Sequence, residues 1–189
     1  MKKYGELTLG QIEAIVNKLG GMDGVHRLLA DDLEVVTKNR GLQGGDIFRL
    51  TIDYSLTLEQ IIATGQYDWK NDDITAKRFP IKGDGIVEYE ARYFHFNRNI
   101  SSEDAVKEME AAGWQPAKIE HALSHGKTFP DEQRKFPIIG LGSVAEVSCS
   151  RGVPCLRGSV SERRLGLDWW GDVWSPDYRF LAVRKVSVS

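Results

Sequence analysis

Two histidines on one predicted helix have a spacing that could serve metal chemistry. His121 and His125 are four positions apart, and residues at that spacing share a side of an α-helix, where two imidazoles can bind one metal ion. The glutamate of the zinc-protease pattern HExxH is missing, because Ala122 and Leu123 follow His121. No cysteine pair or further histidine stands nearby in the sequence. We therefore predict a solvated helix face, with no metal site and no cofactor.

The two cysteines could supply a nucleophile or a disulfide. Arg151 and Arg157 surround Cys149 and Cys155 and could lower the pKa of a thiol. A nucleophilic cysteine also needs a base, however, and this segment contains no histidine. The two thiols could also pair across a hairpin. We predict two reduced thiols and no cysteine catalysis.

The stretch from Arg163 to Tyr178 has the composition of a recognition surface and contains three of the five tryptophans. The period-2 alternation of a strand predicts that Leu165, Leu167 and Trp169 face inward. The residues predicted to face outward and contact a ligand, on this strand and in the following loop, are Arg164, Gly166, Asp168, Trp170, Asp172, Val173, Ser175, Asp177 and Tyr178. Aromatic residues among Asp, Ser, Gly and Arg are typical of binding surfaces. An ordinary core strand with one aromatic anchor is the alternative, and we predict that Trp174 is such an anchor.

The elements that would position these residues begin with two short helices. Thr8 and Gln11 form a capping-box pattern, and Gly20–Gly21 ends the first helix. Its predicted apolar face consists of Leu9, Ile12, Ile15, Val16 and Leu19. Asp23 is predicted to cap the second helix, followed by a strand at residues 33–37 and a linker at 39–45. Two helices around a glycine turn also leave a DNA-binding helix-turn-helix open, although the unit lacks a basic face.

From residue 46 the pattern changes to strands and capped helices. Alternation predicts strands at Phe48–Tyr54 and Ile86–Phe96, with His95 as a hydrogen-bonded core residue. Between them we predict a short capped helix at residues 57–64 and an irregular surface loop at residues 66–85.

Further along the chain, serine caps, a proline and glycine stops predict helices over residues 101–112 and 116–126. Pro116 is expected in the first turn of the second helix and Gly126 at its end. A buried strand is predicted at residues 136–144, and shorter strands are predicted at residues 153–156, 165–169 and 178–185.

Composition and charge exclude several classes of protein. The 189 residues fit one domain with an appendage, and 25 basic against 27 acidic residues give a net charge of −2, which argues against nucleic-acid binding. No apolar stretch follows the lysines at the start, so we expect no signal peptide. No window is apolar enough for a membrane span. We expect a cytoplasmic protein.

The segment from Ser101 to Leu123 is similar to a helix–Gly-x-x-x-Pro–helix stretch of the sulfatase-modifying-factor (formylglycine-generating) group, a branch of the C-type-lectin-like fold. The closing Tyr178–Lys185, YRFLAVRK, resembles the last strand of the same proteins, which typically ends in Gly-Phe-Arg-x-Val-Arg. The resemblance implies a lectin-like fold for the C-terminal half of the chain. The enzymes of this group carry a reactive cysteine pair near a C-terminal arginine motif. No cysteine follows Cys155 here, so their activity is not implied.

The segment Arg163–Lys185 also resembles the variable region of target proteins of diversity-generating retroelements, which use this lectin-like fold. In those proteins a template rich in Asn codons is copied with errors at adenines, so that ligand-facing positions change while the scaffold is kept. The corresponding positions here are Gly166, Asp168, Asp172, Ser175 and Asp177, all reachable from Asn codons by changes at adenines. No asparagine follows Asn99.

These patterns together predict an α+β protein with a helical N-terminal element at 1–45 and a C-type-lectin-like ligand-binding domain at 46–189. The predicted function is the binding of an unidentified protein or surface ligand through a diversified C-terminal surface, without catalysis, nucleic-acid binding or membrane binding. Two alternatives stay open: a degenerate formylglycine-generating-like oxidoreductase that uses Cys149 or Cys155, and a DNA-binding regulator that uses the N-terminal helices. The residues predicted to hold the scaffold are Leu165, Leu167, Trp169, Phe180, Ala182 and Val183.

Overall fold

The chain divides into two compact units, residues 1–40 and 41–189, whereas the predicted domain boundary lies after residue 45. The computed structural model describes residues 8–19, 21–30 and 46–186. Within these ranges, no helix combines the length and the apolar character needed to cross a bilayer.

The described part of the smaller unit consists of two helices, α1 (Leu9–Lys18) and α2 (Met22–Leu29). Gly21 lies between them with a φ of +83°, in the left-handed region that glycine adopts without steric cost. Asp23 lies inside the first turn of α2, so the prediction that it caps this helix was wrong.

The predicted apolar face of α1 is partly exposed to solvent, because the side chains of Ile12 and Ile15 are exposed. The strand predicted at residues 33–37 and the linker predicted at 39–45 lie outside the described residues.

The described part of the larger unit combines four helices with nine strands. The helices are α3 (Leu58–Thr64), α4 (Ser102–Ala111), α5 (Ile119–Thr128) and α6 (Glu132–Lys135). The strands are β1 (Phe48–Asp53), β2 (Trp69–Lys70), β3 (Ile86–Phe94), β4 (Gln115–Pro116), β5 (Ile138–Ile139), β6 (Ala145–Val147), β7 (Ser150–Gly158), β8 (Arg163–Trp169) and β9 (Arg179–Lys185). The predicted α+β class is confirmed.

The strands form one mixed sheet in the order β1-β3-β9-β5-β7-β8-β2. Outside this order, β4 pairs with β9, and β6 pairs with β7. The β5–β9 and β2–β8 pairs are parallel, and the other pairs are antiparallel. Strand β9 therefore lies inside the sheet although it is the last of the described elements. Its residues from Phe180 to Val183 are buried. Because β3 and β5 both pair with β9, the sheet depends on this long-range pairing.

Local signals account for the elements that sequence reasoning predicted well. Thr57 caps α3: its hydroxyl accepts from the Gln60 backbone N–H (3.3 Å), and the Gln60 side chain accepts from the Thr57 N–H (2.8 Å). Ser101 caps α4 by accepting from the Asp104 N–H (3.1 Å). Gly113 follows α4 with a φ of +80°. Strand β1 alternates between buried and exposed residues as predicted.

Helix α5 differs most from its prediction. It begins at Ile119 and continues through Gly126 to Thr128, while Pro116 belongs to β4 and not to the helix. The helix contacts β1, α3 and β7. Its histidines are buried, with 4% and 0% of the surface of His121 and His125 exposed, so the predicted solvated face was wrong. The periodicity of a short helix does not show that it is covered on several sides.

The histidines of α5 are accommodated by specific partners. Nε2 of His125 is hydrogen-bonded to the Tyr93 hydroxyl, and its ring lies against the rings of Phe48 and Phe129. Nδ1 of His121 accepts from the backbone N–H of Lys118 (3.0 Å) and so caps the start of α5.

The segment at residues 66–85 is not simply a surface loop. Strand β2 within it pairs with β8, and Ile74 and Phe79 are each 2% exposed in the core. The predicted strand at residues 136–144 is reduced to β5, although its residues 138–141 are buried. His95, predicted in the core, is exposed and hydrogen-bonds through Nε2 to the Pro176 carbonyl (2.8 Å).

We expect Leu181→Ala to destabilise the larger unit strongly. Leu181 is fully buried on β9, and truncation of a core leucine costs about 2–5 kcal/mol because it leaves a cavity. The matched control is Val160→Ala, at a side chain that is 98% exposed, where the change should stay within about 0.5 kcal/mol. Urea unfolding of both variants measures the difference. Equal midpoints would contradict the central position of β9.

The buried histidines predict a specific acid sensitivity. Burial lowers the pKa of His121 and of His125 from 6.5 to about 3, because the surroundings disfavour the imidazolium form. As the pH falls below 6.5, the unfolded chain therefore binds protons at these histidines that the folded chain does not bind. Their contribution to stability is complete above pH 6.5 and is lost as the pH falls from 6.5 towards 3.

His121→Gln tests this sensitivity, because a glutamine at the third helical position can also accept from the cap N–H. We expect the free energy of unfolding of the variant to fall less steeply below pH 6, by up to about 1.4 kcal/mol per pH unit. The control is His26→Gln, at an exposed position of α2. Parallel curves for wild type and His121→Gln would show that His121 is not held neutral by burial.

Candidate ligand-binding surface

The register of β7, β8 and β2 gathers several predicted contact residues on one face of the sheet. Directly paired residues point to the same face, and the pairs here are Val153 with Asp168, Cys155 with Gly166, Arg157 with Arg164, and Trp69 with Arg164. Arg164 is exposed, and its guanidinium lies 5.9 Å from the ring of Trp69, itself 46% exposed. The guanidinium of Arg164 is also paired with Glu162 (2.8 Å), so the result is an edge of aromatic and paired charged groups.

Asp168 is held by an ion pair. Its Oδ1 accepts from the Arg157 guanidinium, and Nε of Arg157 also donates to Sγ of Cys155 (3.4 Å). Only 15% of the Asp168 side chain is exposed, so this predicted contact residue is partly buried. Gly166 is buried as well. A Cβ at this position would lie 3.8 Å from the Cys155 carbonyl oxygen and 3.9 Å from the Trp69 ring. Both distances are ordinary van der Waals contacts, so a small side chain would fit here.

The loop between β8 and β9 is fixed by Trp174. This residue is 2% exposed, which confirms the predicted aromatic anchor. Its backbone exchanges hydrogen bonds with Ile100 (2.9 and 3.1 Å), and its Nε1 donates to the Ser102 hydroxyl (2.8 Å). The same hydroxyl donates to the Trp170 carbonyl (2.6 Å). The start and the middle of the loop are therefore tied to Ile100 and to the first residue of α4.

The outward side chains of this loop differ in how exposed they are and in how many contacts hold them. Val173 is 68% exposed, Asp172 and Asp177 are exposed, and Ser175 is half-buried. Trp170 is half-buried and held from two sides: its Nε1 donates to Glu103 Oε1 (2.6 Å), and the Arg151 guanidinium lies 5.2 Å from its ring.

Tyr178 is the last residue of the loop and packs against its anchor. Its ring lies edge-on to that of Trp174, with 5.1 Å between ring centroids. Burial raises the pKa of Tyr178, and the charge of the Asp168 carboxylate raises it further. The phenol is thus neutral.

We use the name C-terminal surface for the residues that this geometry gathers: Trp69, Arg157, Arg164, Gly166, Asp168, Trp170, Asp172, Val173, Ser175, Asp177 and Tyr178. The first two were missed by sequence reasoning, as were the partners of Trp170, Glu103 and Arg151. The available signal for Trp69 was a tryptophan within the polar stretch of residues 68–73.

Trp169 was assigned wrongly to the buried scaffold. It is 40% exposed and pairs with Gly152, which offers no side chain to cover it. Leu167 is half-buried, whereas the other four predicted scaffold residues, Leu165, Phe180, Ala182 and Val183, are buried. The alternation was therefore correct in register, but it did not indicate where the core ends along β8.

The two cysteines are not paired with each other and differ in exposure. Cys149 is exposed and Cys155 is buried, and both are free. Burial strongly raises the pKa of the Cys155 thiol and keeps it protonated. Within the part of the chain that the structure describes, no group of three His, Cys, Asp or Glu side chains could hold a metal ion.

Known proteins offer no comparison for this surface: no family model matches the sequence, and no curated protein or solved structure matches it either. The C-terminal surface has the kinds of groups that contact ligands, because it combines exposed aromatic and apolar area with arginine donors, carboxylate acceptors and a neutral phenol.

We expect Trp174→Ala to cost about 3–5 kcal/mol of stability, because it removes a buried indole and the partner of Ser102. Trp169→Ala is the matched control, since it deletes the same side chain at a position that is 40% exposed. Its cost should be clearly smaller. Thermal and urea unfolding of the two variants measure the difference, and equal destabilisation would refute the assignment of Trp174 as the loop anchor.

Proposed function

We propose that the larger unit is a ligand-binding module that uses the C-terminal surface and is not an enzyme. The ligand is a protein or a surface-exposed group, and binding needs no cofactor. The observation that carries this proposal is the contrast within the β8–β9 loop. Its backbone is fixed by the buried Trp174, while Asp172, Val173 and Asp177 beside it are exposed.

A fixed backbone with exposed side chains favours binding, because little conformational entropy is lost when a partner docks. The side chains also suit this purpose. Trp170 and Tyr178 provide rigid contact area, and Arg164, Asp172 and Ser175 provide adaptable hydrogen bonds.

We further propose that the unit has a C-type-lectin-like fold and is a variable protein of a diversity-generating retroelement. Support for the fold comes from the resemblance of Ser101–Leu123 and Tyr178–Lys185 to the formylglycine-generating group. Support for the retroelement assignment comes from the resemblance of Arg163–Lys185 to the variable region of its target proteins. It also comes from the distribution of exposure: most positions expected to vary lie in or beside an open loop, whereas Phe180, Ala182 and Val183 of the expected scaffold are buried. A retroelement could rewrite the former without disturbing the latter.

The two alternatives have weaker support. An oxidoreductase of the formylglycine-generating kind would need a reactive thiol, and the raised pKa of the buried Cys155 opposes this. A DNA-binding role would need a basic helix face, and the basic side chains in the last turn of α2 are His26 and Arg27 alone.

A pair of surface-display libraries tests the proposal. The first library randomises Arg164, Asp172, Val173, Ser175 and Asp177. The second randomises five buried positions as a matched control, namely Leu165, Ile139, Phe180, Leu181 and Val183. We expect most clones of the first library to fold and few of the second, because surface changes usually stay within about 0.5 kcal/mol and core changes cost several.

The folded clones of the first library are then selected against an immobilised test protein such as lysozyme. We expect binders whose affinity is lost when the five positions revert together. A first library that folds as rarely as the second would show that these positions are structural and would refute the proposal. A near-copy of the 3′ coding end beside a reverse transcriptase gene is the independent genomic test of the retroelement assignment.

A further inference from the structure

A cavity of about 490 Å³ lies on a different part of the larger unit and shares no residue with the C-terminal surface. Tyr54 and Tyr89 line it together with residues around the start of α5 and the end of β9. Its volume is within the range of pockets that bind small molecules. A neighbouring cavity of about 240 Å³ shares Lys82 and Lys118 with it.

The charge of this cavity is predominantly positive. The lining includes Lys82, Lys118, Arg184 and Lys185, against one carboxylate, Glu110, among the described lining residues. Arg184 is paired with Glu90 (2.6 Å) outside the lining, whereas the three lysines form no ion pair with a described carboxylate. Like charges gathered without partners lower stability, and an anion would relieve this repulsion.

A buried carboxyl group lies near the lysines. Glu120 lines the neighbouring cavity together with Lys82 and Lys118 and is 2% exposed, and burial raises the pKa of its carboxyl group. The two cavities are thus lined by two carboxyl groups that form no ion pair with a described residue, Glu110 and Glu120, against three lysines, so the lysine charge is only partly offset from within the protein.

Neutral hydrogen-bond donors line the same cavity. The hydroxyls of Tyr54 and Tyr89 are 2.8 Å apart and share one hydrogen bond, so the hydrogen of one hydroxyl stays available. His121 is 4% exposed, and its Nδ1 accepts from the Lys118 N–H, which leaves the hydrogen of the neutral ring on Nε2. This Nε2 has no hydrogen-bond partner among the described residues.

An unused buried N–H destabilises a folded protein unless something accepts from it. The wall of the cavity also has an apolar part, formed by Pro116, Val183 and the tyrosine rings. A ligand that matches all these features carries an anionic group with several acceptor oxygens and a ring or short apolar part.

We propose that this cavity binds a small organic anion. The phosphate or carboxylate group of the anion lies between Lys82 and Lys118 and accepts hydrogen bonds from the available tyrosine O–H and from His121 Nε2–H. The apolar part of the anion lies against Pro116 and Val183. This site is independent of the proposed recognition function, because the two sets of residues do not overlap.

The test uses the full chain and four probes at low ionic strength, where screening of the lysines is weak. Phenyl phosphate and benzoate carry both a ring and an anion, benzyl alcohol lacks the charge, and inorganic phosphate lacks the ring. Isothermal titration gives the Kd of each. We expect saturable one-to-one binding of phenyl phosphate or benzoate with a Kd below about 1 mM, and none of benzyl alcohol.

The double variant Lys82→Gln/Lys118→Gln should raise the Kd of the more tightly bound ring anion at least about tenfold, which corresponds to about 1.4 kcal/mol. The matched control, Lys77→Gln/Lys107→Gln, removes the same charge at exposed positions outside the cavity and should leave the Kd within about twofold. Equal weakening in both double variants would mean a diffuse charge effect and would overturn the site.

Imidazole NMR signals provide a second readout that does not depend on a variant folding. Saturation with the anion should shift the Nε2 signals of His121, whereas those of His125, which does not line the cavity, should stay in place. An unmoved His121, or the absence of saturable binding of both ring anions, would refute the proposal. Inorganic phosphate that binds as tightly as phenyl phosphate would refute the role of the apolar wall.

Discussion

The guanidinium of Arg163 donates hydrogen bonds to the carbonyls of Gly65 and Gly126 (2.6 and 2.5 Å) and to Oε1 of Gln133 (3.0 Å). Arg163 is 6% exposed, and its guanidinium lies 5.0 Å from the centre of the Tyr67 ring. A buried cation is costly unless its donors are satisfied. Here the two terminal nitrogens donate to oxygens from three separate segments, whereas Nε has no hydrogen-bond partner among the described residues. The first residue of β8 thereby joins the end of α3, the interior of α5 and the start of α6.

The position of Trp69 on the C-terminal surface follows from the same residue. The backbone N–H of Arg163 donates to the Asp68 carboxylate (2.7 Å), and its carbonyl accepts from the Asp68 N–H (2.9 Å). These bonds begin the parallel pairing of β2 with β8, so Trp69 lies beside Arg164. A segment without a strong strand pattern thus becomes an edge strand. The side chain of Arg163 therefore joins the elements packed below β8, and its backbone begins the pairing that places Trp69.

The accuracy of sequence reasoning followed the range of the interactions. The caps at Thr57 and Ser101 and the alternation of β1 depend on residues within a few positions, and they were predicted correctly. The burial of His121 and His125 depends on strands far away in the chain, and the pairing of Trp69 depends on Arg163. Neither leaves a local pattern. The C-terminal surface lay between these cases: its loop residues and Trp174 were foreseen, whereas Trp69, Arg157 and the exposure of Trp169 were not.

Strand β9 separates the two sites that we propose. Its Phe180 and Ala182 belong to the apolar cluster that contains Trp174, whereas Leu181 and Val183 belong to the cluster below α5, and Val183 also lines the cavity. Alternate residues of one strand therefore support the C-terminal surface on one face and the cavity on the other. Substitutions at distant sites without shared partners usually act independently. A sheet of this construction can change its outer loop while the pocket behind it keeps its shape, which is the property that a binding scaffold with a second, constant ligand would require.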